Sequence, residues 1–241
     1  MELAQIAAAF AILLVAAFAQ AVSGFGFSLV AVPLLALVSG PRAAVVGSSM
    51  VAVLLTSVTA LHDRGFVRWR TVARVLVAAV VGMPLGLLAL TALPARVLTV
   101  GIALVVLVFT LMTWRGFRVP GGVATTAVVG LVCGALTTSI GVNGPPLVAA
   151  FQAMEFPPRP FRATLAAVFA GCGTIGVLGF AVTGHVNRSV GTVALVGVPA
   201  VLAGWYLGNK IFALVSVARF RLIVLGGLIA ASVVTLATAL A

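Results

Sequence analysis

Ser23-Gly24-Phe25-Gly26-Phe27-Ser28 interrupts one long apolar run, and 117 residues later Ile140-Gly141-Val142-Asn143-Gly144-Pro145 interrupts another. Glycine destabilises a helix and adopts backbone angles closed to other residues, so each stretch reads as a helix break. Each break is followed by a short apolar segment, then a Pro-Arg pair (Pro41-Arg42; Pro158-Arg159), then another apolar run. Two further matches keep the same order. Gly65-Phe66-Val67-Arg68 pairs with Gly184-His185-Val186-Asn187, and Gly82-Met83-Pro84 pairs with Gly197-Val198-Pro199. The chain therefore reads as a duplication, with residues 1–119 as the first repeat and 120–241 as the second.

The surroundings of the breaks decide the fold class. The chain is 63% hydrophobic and 7% charged, with a mean hydropathy of +1.33, far outside the range of a soluble domain. Several runs reach the ~20 residues needed to cross the hydrocarbon core. Only helices or closed barrels cross it, and the runs lack the alternation of barrel strands. An all-α integral membrane protein of the inner cell membrane is expected. Its long helices fall at 3–22, 43–60, 71–91, 97–113, 123–140, 162–183, 189–208 and 221–240, with short segments at 27–38 and 147–154. That makes eight long helices and ten membrane segments. Residues 3–22 are kept as a membrane helix, because Glu2 stands where a signal peptide carries positive charge.

The net charge of +11 is spread through short connections with no dense basic run, which fits membrane orientation and excludes nucleic acid as a partner. Basic residues also discriminate between two arrangements of the breaks. If each break is a kink in one crossing helix, the two sides carry 7 basic residues each. If each break is the tip of a hairpin that returns to its own side, the counts become 11 and 3. The positive-inside rule favours the hairpins. Loop 61–70, the midpoint connection and segments 155–162 and 209–221 then face the cytoplasm, with both chain ends outside. Each repeat becomes a broken-helix hairpin plus three transmembrane helices. An odd number of segments per repeat inverts the second relative to the first, an arrangement found in secondary transporters.

Short helices that begin inside the membrane present unpaired N–H groups and a partial positive charge, which suit an anion. Pro145 and Pro146 favour a helix start. Ser23, Ser28, Thr138, Ser139 and Asn143 supply side-chain donors beside the breaks. The acids Glu2, Asp63 and Glu155 all lie at expected membrane edges, so a cationic substrate lacks a counter-charge. The expected substrate site comprises Ser23, Gly24, Phe25, Gly26, Phe27, Ser28, Ser139, Gly141, Asn143, Gly144 and Pro145. Ser48, Ser49, Arg162 and Thr164 are further candidates. Mid-helix glycines such as Gly82, Gly86, Gly173, Gly204 and Gly208 read as packing positions. His62 and His185 fall in loops, and Cys133 and Cys172 lie in apolar segments without metal spacing. No catalytic constellation, cofactor motif or metal set is present in the sequence, so an enzyme is not expected.

These motifs resemble the sulfite exporter TauE/SafE family of membrane permeases. The resemblance rests on Gly24-Phe25-Gly26-Phe27 with Val32-Pro33-Leu34, on Gly47-Ser48-Ser49, and on Gly141-Val142-Asn143-Gly144-Pro145-Pro146-Leu147. Gly65-x-Val67 and Gly184-x-Val186 add to it. The family implies movement of sulfite, organosulfonates or related sulfur-containing or carboxylated anions. Typical members have a glycine-richer first break and often a further glycine where Asn143 stands. The expectation is a permease that works by alternating access with its substrate at the two breaks. A channel-like anion pathway and a non-transporting membrane scaffold are the competing classes. Composition assigns the lipid bilayer as surroundings and a small anion as partner, and gives no oligomeric state.

Overall fold

The computed structural model describes residues 3–115 and 122–212. Among these residues the chain forms nine α-helices, one 3₁₀ turn and no strand. The first half contributes α1 (Leu3–Ser23), α2 (Phe27–Ser39), α3 (Pro41–His62), α4 (Trp69–Ala92) and α5 (Ala95–Trp114). The second contributes α6 (Val123–Ser139), α7 (Gly144–Ala153), α8 (Pro158–Val182) and α9 (Arg188–Phe212). The helix expected at 221–240 lies outside the described residues. Among the described residues, five helices (α1, α3, α4, α8 and α9) are long and apolar enough to cross a membrane.

Helices α3 and α8 start further upstream than the apolar runs indicate, and proline is the reason. Pro41 and Pro158 open α3 and α8, where the absent N–H costs nothing. They begin helices that the sequence reading placed after a connection. The helices α7 and α8 start 117 residues after α2 and α3.

The helices pack reciprocally between the halves. Helix α1 lies along α9, α4 lies along α6, and α3 and α8 cross at the centre. Helix α3 is the most enclosed of the five long apolar helices, with 61% of its apolar window buried, against 33% for α4 and α9. Small residues set the spacing. A Cβ on Gly134 would run into the Ala79 carbonyl, and one on Gly86 would run into the Ala135 carbonyl. On the opposite flank, Gly204 lies against the Leu14 carbonyl and Gly208 against Ala21 and Phe18. With lipid as the alternative neighbour, close van der Waals contact is the main force holding helices together, and only glycine allows it here.

Cations tie the helix ends and connections together. Arg42 donates to the carbonyls of Leu90, Thr91 and Leu93 at 3.1, 3.3 and 2.8 Å, closing the C-terminus of α4 with positive charge. Around loop 61–70, the Arg159 guanidinium lies 4.8 Å from the Phe66 ring centroid, and that of Arg68 lies 5.0 Å from the Phe156 centroid. The Arg68 N–H donates to Thr164 Oγ1 at 3.1 Å. Loop 61–70 and segment 155–162 are therefore joined.

Replacing Gly134 with Val is expected to cost about 3 kcal/mol or more through overpacking. Gly101, with open space where a Cβ would stand, is the control. Gly101→Ala should hold or raise stability by up to ~1 kcal/mol. Thermal unfolding of the two variants in detergent checks the pair, and equal behaviour contradicts the close-packed seam.

Candidate functional site

The two breaks meet. A cavity of about 40 Å³ lies between them, lined from the first break by Gly26, Ser28 and Leu29 and from the second by Gly141, Val142, Asn143 and Gly144. At ~10–15 Å³ for each water, that space suits a few waters or one small oxyanion. The helices α3 and α8 close it, through Ser49, Ala52 and Thr56 on one and Phe169 and Gly173 on the other. Gln20 and Thr137 complete the wall, each four residues before the first glycine of its break.

Backbone conformation explains the glycines. Gly24 and Gly26 adopt φ of +81° and +111°, and Gly141 adopts +70°, all in the left-handed region that side chains oppose. Each break is held by a polar clamp from the helix before it. The Phe27 N–H donates to Gln20 Oε1 at 3.2 Å, which caps the start of α2. In the second break, Asn143 Nδ2 donates to Thr137 Oγ1 at 2.7 Å, while the Thr137 hydroxyl donates to the Cys133 carbonyl at 2.7 Å. The Cys133 thiol donates to the Asn143 carbonyl at 3.2 Å. These bonds fix the amide orientations. Gln20 must present its oxygen to Phe27, so its NH₂ is the donor left at the cavity wall, and Asn143 retains a second N–H.

The helix starts differ in what they offer. In α2, the N–H groups of Ser28 and Leu29 have no carbonyl one turn back to pair with, so they are donors beside the cavity. In α7, Pro145 and Pro146 carry no N–H, which leaves that terminus the Asn143 side chain and the Gly144 backbone. Ser49 and Thr56 donate to the Val45 and Ala52 carbonyls at 2.7 Å each, and both residues line the wall. No carboxylate lines the cavity among the described residues. Its walls offer hydrogen-bond donors and dipoles, an environment that stabilises negative charge.

The remaining expected residues take other places. Gly24 is buried against Arg162, whose Cγ lies 3.4 Å from the glycine's Cβ position. Phe27 is buried in the core shared by α1, α2, α3 and α9, and Phe25 packs near Gly144. Phe169 is the aromatic ring of the cavity wall. Ser48 and Ser139 turn back to the Val45 and Ala135 carbonyls at 3.2 and 2.6 Å. Thr138 bridges to the Met83 carbonyl at 2.7 Å, and Thr164 is spent on Arg68. Pro145 is buried at the start of α7. Backbone Ser23 closes α1. The guanidinium of Arg162 donates to Asn209 Oδ1 at 2.7 Å, in a separate pocket. Gln20, Thr56, Thr137 and Phe169 were not singled out as site residues. Two signals pointed to them. Gln20 is the amide that stands beside the first break in an apolar helix, and Thr56 falls two helical turns from Ser49.

Gln20→Leu removes the acceptor for a buried N–H and is expected to cost about 1–3 kcal/mol. Gln20→Glu keeps that acceptor and should restore most of the stability. Thermal unfolding of both variants checks the clamp, and an unshifted Gln20→Leu midpoint refutes it.

Comparison with known proteins adds a family. Residues 9–235 match the profile described as sulfite exporter TauE/SafE. The chain is 27% identical over 224 residues to a protein named probable sulfite/organosulfonate exporter TauE from Cupriavidus necator, spanning 87% of this chain and 85% of that one. No solved structure matches.

Proposed function

The chain belongs to the sulfite exporter TauE/SafE family, and on that premise we propose that it is a multi-pass membrane permease for sulfite or a small organosulfonate. The observation that carries the reading is the cavity where the two breaks meet, rich in donors and without a carboxylate. The anion sits between the N–H groups at the start of α2 and the amides of Gln20 and Asn143. The relative's name supports a sulfonate-type substrate.

Transport proceeds by alternating access between two inverted repeats, residues 1–119 and 120–241. The 117-residue spacing of α2/α7 and α3/α8 supports the duplication, as does the reciprocal packing of α1 on α9 and α4 on α6. A two-fold relation between repeats generates that kind of pairing. Side-chain placement supports hairpins over kinks. His62, Asp63, Arg159, Arg162 and Lys210 line one pocket. The kinked arrangement would put His62 and Asp63 on the opposite side of the membrane from the other three. On the hairpin reading this basic face is cytoplasmic and both chain ends lie outside. Helices α1 and α2 share one core side by side, which collinear halves of a rod cannot do.

Counterflow of radiolabelled methanesulfonate in proteoliposomes tests the function. Wild-type flux should saturate and show trans-stimulation, and Asn143→Leu should lower it at least about tenfold, the loss of one charge-assisted hydrogen bond. Flux that rises linearly with concentration overturns the carrier mechanism. Unchanged flux in Asn143→Leu overturns the site.

A further inference from the structure

Outside the break cavity, a pocket of about 620 Å³ lies between the C-terminal end of α3, the start of α8 and the end of α9. Arg159, Arg162 and Lys210 line it with Asp63 as the one carboxylate among its described lining, so fixed positive charge exceeds negative. Trp205 is part of its wall, with its Nε1–H turned into the protein and unpaired among the described residues.

Comparison of the two repeats shows that the fold does not require this charge. Gly24 packs on Arg162, and Gly141, its counterpart in the second repeat, packs on Val45 with Val45 Cγ1 3.4 Å from its Cβ position. Val45 stands 117 residues before Arg162, so the same position is valine in one repeat and arginine in the other. Val45 belongs to one apolar core with Leu90, Leu98, Ile102 and Phe180. The Pro-Arg pairs diverge in the same sense. The guanidinium of Arg42 is engaged by three carbonyls at the end of α4, while Arg159 lies at the pocket. One mouth of the molecule is packed and apolar, and the other is roomy and cationic.

We propose that this pocket is a second anion-binding station, an antechamber in which a small soluble sulfonate or comparable oxyanion is held by Arg162 and Lys210 beside the Trp205 ring before it reaches the breaks. Arg162 is its innermost ligand. The stem of that side chain lies against the first break at Gly24 while its guanidinium bonds Asn209 Oδ1 at 2.7 Å in the pocket, so one residue touches both stations. The pocket is much larger than the 40 Å³ at the breaks, so the antechamber selects for charge and leaves shape selection to the inner site. Its role as a way station rests on the anion-permease reading, but its existence as a binding site does not.

The test is equilibrium binding of radiolabelled methanesulfonate to the full chain in phosphatidylcholine nanodiscs, combined with Trp205 fluorescence in a Trp69→Phe/Trp114→Phe background. Wild type should bind two anions per chain, with a Trp205 response that weakens as sodium chloride rises. Arg162→Val, which installs the residue the other repeat uses, combined with Lys210→Gln, should abolish the Trp205 response and weaken one site at least about tenfold. The site sensitive to Asn143→Leu should remain, which also shows that the variant folds. Asn143→Leu alone should leave the Trp205 response in place. If it leaves both sites intact, the break reading fails and the antechamber stands. Two undiminished sites in the Arg162→Val/Lys210→Gln variant overturn the antechamber, as does a wild-type protein whose Trp205 never responds. Loss of the response in equimolar phosphatidylglycerol also overturns it, and assigns the cations to lipid headgroups.

Discussion

Backbone that leaves the helix within a membrane must be covered by protein or water, because hydrocarbon offers no hydrogen-bond partner. Both unwound stretches, Gly24–Gly26 and Ile140–Asn143, obey that constraint, and most of the architecture follows from it. Each is tied to the helix before it, by Gln20 accepting from the Phe27 N–H in one case and by Thr137 accepting from the Asn143 amide in the other. Each is covered by the opposite half, Gly24 by Arg162 and Gly141 by Val45. The polar groups still available turn toward the small space between them. The same requirement that makes the breaks tolerable also concentrates donors at one point.

Bringing the breaks together depends on how closely the surrounding helices approach. Glycines at the α4–α6 and α1–α9 seams let backbone meet backbone, and α3 and α8 fill the centre. Polar side chains contribute mostly local bonds. Ser48, Ser49, Thr56 and Thr137 donate to carbonyls three or four residues back, which satisfies hydroxyls inside an apolar helix at little cost.

Much of this was legible in the sequence because its signals are local. Apolar length located the helices, glycine pairs located the breaks, and the count of arginines favoured hairpins. Prolines were harder to read. Pro41 and Pro158 look like connectors in a string, yet they open helices because the first turn has no need of their N–H. The far side of the cavity was harder still. Ser48 and Ser49 are neighbours in sequence, and only the rotation of α3 decides that Ser49 lines the wall while Ser48 does not. Phe25 and Phe27 sit in the motif, yet the aromatic ring at the cavity is Phe169, supplied by packing across the halves. Gly173 reads as a packing residue and also forms wall. Arg162 was visible as a nearby cation, but its contrast with Val45 emerges only when both breaks are seen against the helices that cover them.

The central claim is that one anion sits between the two breaks. The most direct measurement is an anomalous difference map at the selenium edge from crystals of the protein grown with selenite, a heavier analogue of sulfite. The account predicts a selenium peak within hydrogen-bonding distance of the Ser28 backbone N–H and the Asn143 side chain. A map with selenium bound elsewhere and none between the breaks would contradict it.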